Sequence, residues 1–183
     1  MARAEGFVQD NKANLQMSNY YFNRDFRDGA GQSKREEWAQ GFILDVRSGY
    51  TSGVVGFGLD ALGMLGLKLD SSPDRSGSGL LPTHSDGRAA DEFSRLGLTA
   101  KMKVSKSELK YGTFIPKLPT LQANTGRILP QTFEGGLITV KEFDALSFSD
   151  ARFNRMTDRD STDANTLMLS NKASFSETPL NAW

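Results

Sequence analysis

The chain has 183 residues, with 22 Lys+Arg balanced by 22 Asp+Glu, a single histidine and no cysteine. Zero net charge and the absence of charge blocks give no footprint for nucleic acid, and without thiols there is no disulfide scaffold, thiolate metal site or Cys nucleophile. With His84 alone, a His-based metal cluster or Ser-His-Asp triad has at most one candidate base, so neither catalysis nor a metal or other cofactor is expected.

No apolar stretch follows Met1-Ala2-Arg3-Ala4, so no signal peptide is expected at the start of the chain. From there the chain alternates. Over 12–26, Leu15, Met17 and Tyr21 oppose Asn14, Gln16, Ser18 and Arg24; over 37–47, Trp38, Phe42, Leu44 and Val46 oppose Glu37, Gly41, Asp45 and Arg47. The run "VVGFGLDALGMLGLKL" at 54–69 contains a Gly-x-Gly-x-x-Ala spacing, but Gly63 and Gly66 lie where a dinucleotide-binding helix would have to run. It is too short and too charged for a membrane helix, and each glycine would cost a helix interior about 1 kcal/mol relative to alanine. With period two it separates: Val55, Phe57, Leu59, Ala61, Leu65 and Leu67 on one side, Gly56, Gly58, Asp60 and Lys68 on the other. Gly63 interrupts the first set, and Leu62 and Met64 the second.

The cleanest segment is 94–104, where Leu96, Leu98, Ala100, Met102 and Val104 oppose Arg95, Gly97, Thr99, Lys101 and Lys103. Leu109 and Tyr111 oppose Lys110 and Gly112 over 107–114, and strands with poorer alternation are predicted at 136–143 and 145–154. That makes seven strands ending near Arg155, followed by a loop-like tail that stops at Trp183 where an eighth would begin. Connections at 47–53, 105–108 and 142–145 are short, whereas 27–36, 70–92, 115–135 and the segment after 156 are long. Strands of about ten residues joined by short turns on one side and long loops on the other match a transmembrane antiparallel β-barrel. Tyr20, Tyr21, Phe22, Trp38, Phe93 and Tyr111, near strand ends, are expected to form aromatic girdles. The competing reading is a soluble β-sandwich module whose basic face holds an anionic ligand, which would lack the short/long asymmetry.

The strings "NYYFNRDF" (19–26), "WAQGF" (38–42), "GFGLDALGMLGLKLD" (56–70), "LLPTHSDGRAADEFSRLG" (80–97) and "GRILPQTFEGG" (126–136) resemble the OprD-type porins, the outer-membrane carboxylate channels of Gram-negative bacteria. The resemblance runs from about Glu5 to Asp160. It implies an all-β fold, an 18-stranded barrel in the family, of which residues 1–183 form a single incomplete domain. The remaining strands would be missing partners. It also implies an inward-folding constriction loop at 115–135 with Arg127, Pro130, Gln131, Thr132 and Phe133 at the narrowing, and an external loop or tail at 156–183. The implied function is passive uptake of small carboxylate solutes along an Arg/Lys ladder. The "LPTHSDGRAAD" wording resembles the branch that prefers cyclic or aromatic acids to basic amino acids. Arg24 and Arg127 match ladder positions; Ser18 stands where similar relatives carry arginine.

Alternation assigns further rungs independently. Arg95, Lys101, Lys103 and, on the next strand, Lys110 oppose the apolar face. A charge on the lipid side at mid-bilayer costs about 2–4 kcal/mol, so these residues are expected to line water. Asp45 and Asp60 are expected as counter-charges, and Lys68, Arg75 and Arg88 as solvated charges of an external loop. "DRDSTDAN" (158–165) lacks the central glycine and terminal glutamate of a calcium loop. A non-conducting N-terminal fragment with unpaired edges is the remaining alternative.

Overall fold

A computed structural model describes residues 6–27, 30–143, 146–170, 173–174 and 180–182. Met1–Ala4, the tip of the 142–145 turn and Trp183 lie outside the described residues. Seven strands follow one another as an antiparallel meander: β1 (Lys12–Asp25), β2 (Lys34–Arg47), β3 (Val55–Asp70), β4 (Glu92–Val104), β5 (Ser107–Phe114), β6 (Thr132–Phe143) and β7 (Leu146–Thr157). The segment after 156 is more than a loop. β8 (Ala164–Thr166) pairs with the end of β7, β9 (Met168–Ser170) pairs with β10 (Ala173–Ser174), and β11 (Leu180–Ala182) lies beside Ala151–Phe153 of β7. β11 thus begins an eighth strand of the main sheet.

Register sorts the side chains. Leu59 pairs with Ala100, Ala61 with Leu98 and Gly63 with Leu96, while Gly58 pairs with Lys101 and Asp60 with Thr99. The first set shares an open face with Leu15, Met17, Leu44 and Phe57. Leu96 is 76% exposed, Phe57 55% and Leu98 51%. A continuous apolar face of this extent is not sustained in water, and the open face is a lipid face. At about 3.3 Å per residue and a tilt of about 40°, the 16 residues of β3 rise about 40 Å, enough to cross the hydrocarbon. Tyr21, Trp38 and Tyr111 are exposed near its margins. Tyr20, Phe22 and Phe93, expected in the girdles, instead point to the other face and pack in a buried cluster, because they occupy the opposite parity of their strands.

The short turns are tightly held. Between β4 and β5, Ser105 adopts φ 52, and Glu142 of β6 accepts hydrogen bonds from Ser105 Oγ (2.9 Å), Lys106 N (3.1 Å) and Ser107 Oγ (2.6 Å). Leu98→Lys should lower stability in a bilayer by about 2–4 kcal/mol, read as a shift in the urea midpoint of lipid-folded protein. An unshifted midpoint would show that Leu98 does not meet hydrocarbon.

Candidate functional site: the inner wall and its inward loops

The core of this molecule lies on the inner face, where two loops fold back onto the wall. Ala39, Met64 and Phe93 of the wall pack with Leu80, Leu81 and Ala89 of the 71–91 loop and with Ile128 and Leu129 of the next. Leu80, Leu81 and Leu129 are wholly buried, and each such side chain contributes about 1.5–3 kcal/mol by leaving water. The expectation of solvated charges here is corrected for Lys68 and Arg75, because the 71–91 loop lies on the inner wall: an apolar Leu80-Leu81 pair cannot remain in water when an apolar wall lies beside it. Its charges divide: Arg75 is half-buried against Asp70 (3.0 Å) and Glu36 (3.6 Å), and Lys68 at the end of β3 pairs with Asp91, whereas Arg88 is solvated as expected, its side chain 69% exposed beside Asp86 (2.8 Å). Backbone and side-chain hydrogen bonds from Arg88 hold the Asp86 carboxyl below its usual range, and Lys68 does the same for Asp91.

Glycines make this approach possible. Gly41 pairs with Gly66 across β2 and β3. A Cβ on Gly41 would stand 2.8 Å from Ile128 Cγ1 and 2.9 Å from its carbonyl oxygen, and one on Gly66 would enter the Phe93 ring. Glu37, 1% exposed, anchors the 71–91 loop by accepting from the backbone N–H (3.1 Å) and hydroxyl of Ser78. A second cluster lies under the 115–131 loop: Phe133, Phe153, Met156 and Leu167, packed with Phe114, Leu118 and Leu121. The ring centroids of Phe114 and Phe153 are 5.6 Å apart, edge to face. The irregular stretch ends at Gln131. Thr132 and Phe133 open β6 and are buried wall residues, since Phe133 continues the ladder opposite Phe114.

The short turn after β2 folds inward too. A Cβ on Gly58 would meet the Gly49 carbonyl oxygen at 2.7 Å, and one on Gly56 would meet Tyr50 Cβ at 3.0 Å. Tyr50 crosses the wall to donate its hydroxyl proton to Glu108 of β5. Burial, then the Glu108 carboxylate, pushes the Tyr50 phenol above its ordinary range. Sequence reading did not single out Tyr50; the signal was the Gly56-x-Gly58 spacing, separated by two residues from "RSGYTSG".

The six expected cations share the inner side but differ in surroundings. Lys101 is 7% exposed, with Nζ 2.6 Å from Asp60, donating to the Ser48 carbonyl (2.7 Å) and 4.9 Å from the Tyr50 ring centroid. Lys110 is paired with Glu108 at 2.8 Å. Arg95 donates to the carbonyl oxygens of Asp158 (3.1 Å) and Pro130 (2.9 Å). Lys103 is exposed beside Tyr50, 5.7 Å from the ring centroid. Arg24 faces Arg35 across the β1–β2 ladder, and both guanidinium groups lie over Phe26. Arg127 stacks over Phe22 at 5.1 Å. At the short-turn end, Lys12, Arg47, Tyr50, Lys101 and Lys103 border a trough of ≈ 890 Å³. Asp45 is a counter-charge for Arg47 (2.6 Å), as Asp60 is for Lys101.

Two measurements check these arrangements. Lys101→Gln should destabilise by about 3 kcal/mol, because Asp60 is left enclosed without its partner, and adding Asp60→Asn should recover most of that loss. Equal loss in the single and double variants would show that the pair is not coupled. Alkaline absorbance titration should contain a tyrosine ionising above the usual value near 10, absent in Tyr50→Phe; an unchanged titration curve in that variant would reject the buried phenol–carboxylate contact.

The description "outer membrane porin, OprD family" matches residues 5–182. The porin-like protein GalP of Pseudomonas putida is 46% identical over 180 residues, which is 98% of this chain and 44% of GalP. The crystal structure of Pseudomonas aeruginosa OccK9 (OpdG) superposes with a TM-score of 0.88 at 53% identity, over 92% of this chain and 44% of that one. That of OpdK with vanillate, also from Pseudomonas aeruginosa, gives 0.78 at 48% identity, over 87% and 40%. The chain thus spans less than half the length of each. With an apolar outer face, a polar inner wall and this match over nearly its whole length, the chain belongs to the OprD family of outer membrane porins.

Proposed function

We propose that these strands form the N-terminal part of a passive channel for small carboxylates, closed by further strands, with cyclic or aromatic acids favoured over basic amino acids. The observation that carries the reading is a half-buried cation of the inward loop set against an aromatic ring of the wall: Arg127 lies over Phe22, and the buried Ile128 and Leu129 behind it fix the loop there. A ring-bearing acid needs both a cation for its carboxylate and apolar surface for its ring. OpdK, solved with vanillate, is a relative crystallised with such a molecule.

In this reading the 115–131 loop narrows the lumen, with Arg127, Pro130 and Gln131 at the constriction and Thr132 and Phe133 supporting its end. Arg24 collects the anion at the long-loop side, Arg127 holds it at the narrowing, and Lys103 passes it into the trough beside Tyr50. Lys101 and Lys110 add positive potential from behind their partners, while the guanidinium of Arg95 is turned to the carbonyl oxygens of Pro130 and Asp158. Cations clustered in a water-filled, low-dielectric cleft raise the local potential by several kT, and the guanidinium fork grips a carboxylate bidentately. Several sites of moderate strength let the solute move on. No bond is made or broken, and the solute gradient drives flux.

The test is electrical. In the full-length channel, replacing Arg24, Lys103 and Arg127 together by glutamine should move the reversal potential in a salt gradient towards cation preference and reduce benzoate permeation more than lysine permeation. An unmoved reversal potential would refute the ladder, and equal loss of both solutes would refute the preference for ring acids.

A further inference from the structure

We propose that Arg95 is a positioning residue for the constriction loop, a strut between the wall and two loops rather than a rung that meets the solute. The proposal rests on the channel reading above and adds what holds the narrowing in place. Arg95 projects from the inner side of β4, opposite Met64. Its two terminal nitrogens are committed to main-chain oxygens, Nη2 to Pro130 at 2.9 Å and Nη1 to Asp158 at 3.1 Å. Its Nε is enclosed without a partner. Pro130 is the penultimate residue of the inward loop, and Asp158 follows β7, so one side chain joins three segments that neighbour each other nowhere in sequence.

The same junction is bridged a second time. Gln131 Nε2 donates to Asp158 Oδ1 at 3.2 Å, while its backbone N–H donates to Asn124 O at 2.9 Å within the loop. The carboxylates of Asp158 and Asp160 supply negative charge near the guanidinium, which further reduces its attraction for a passing anion. Carbonyl oxygens accept these bonds whatever the side chains of Pro130 and Asp158, so the strut reads position only. Lysine cannot replace it, because one ammonium on a flexible stem does not span two carbonyls in the fixed geometry of the guanidinium fork.

Single-channel recording of the full-length channel separates strut from rung, using Arg95→Lys, Arg95→Gln and the unaltered protein. A strut predicts that both variants keep the reversal potential and both gain current flicker between sub-levels. The displaced-loop population should rise at least about tenfold, since each lost charged hydrogen bond alone is worth about that factor. A quiet Arg95→Gln channel with a shifted reversal potential, restored by Arg95→Lys, would overturn the proposal, as would flicker in Arg95→Gln that Arg95→Lys abolishes. Should neither Arg95 variant insert, Gln131→Ala cuts the neighbouring bridge and must flicker; a quiet Gln131→Ala channel overturns the strut. If the unaltered protein gives no discrete conductance steps, the channel reading falls and this proposal with it, whereas quiet variants in a conducting channel remove the strut alone.

Discussion

Everything in this structure follows from hydrocarbon lying against one side of the sheet. Lipid offers no partner to a backbone N–H or C=O, so strands must pair edge to edge without irregular segments on that side. Alternate positions must then be apolar, and β4 meets the condition without exception from Leu96 to Val104. The folded-back loops lie on the inner side with many of the glycines and charges, although Gly63 and Gly136 share the open face and Asp150 and Arg152 of β7 take its parity. In a soluble sandwich the apolar parity would be the packed one. Here it is the exposed one, and the packed core forms from apolar residues of the other parity, such as Met64 and Phe93, with loop residues brought to them.

Glycine on the inner parity is the second condition. A loop backbone can lie directly on the wall only where no Cβ intervenes, and Gly41 and Gly66 clear such a place for Ile128 and Phe93 as Gly56 and Gly58 do for the Tyr50 turn. Because strand neighbours are in register, glycines on adjacent strands combine into floors wider than either strand would provide. A narrow lumen thus requires a wall that is smooth in places and inward segments with something apolar to set upon it.

Charge on the inner wall divides into two kinds. Lys101, Lys110 and Arg95 are committed to protein partners and hold turns and loops in position. Lys103, Arg24 and Arg127 form no ion pair among the described residues and lie over aromatic rings, although Lys103 faces Glu108 across the β4–β5 ladder. A ring leaves a cation's charge uncancelled while restraining its motion. Such a group suits transient contact with an anion better than a buried ion pair does, since a buried pair is costly to open.

Strand parity was legible in the residues themselves, because a period of two records which side of a ribbon meets an apolar medium. The strings from "NYYFNRDF" to "GRILPQTFEGG" carried the family. Parity also placed Arg95, Lys101, Lys103 and Lys110 opposite the apolar side, yet it could not tell a committed lysine from an open one, since Asp60 meets Lys101 across the β3–β4 pairing rather than along the chain. Parity alone also takes Tyr20 and Phe22 out of the girdle, but it could not show that Leu80-Leu81 turns inward, because a loop's side depends on which wall offers it a complementary surface. Local pattern responds to the medium on each side of a strand. Which cation is neutralised, which loop enters and which glycine is needed depend on contacts between segments far apart in sequence, and these exist only once the sheet has closed its register.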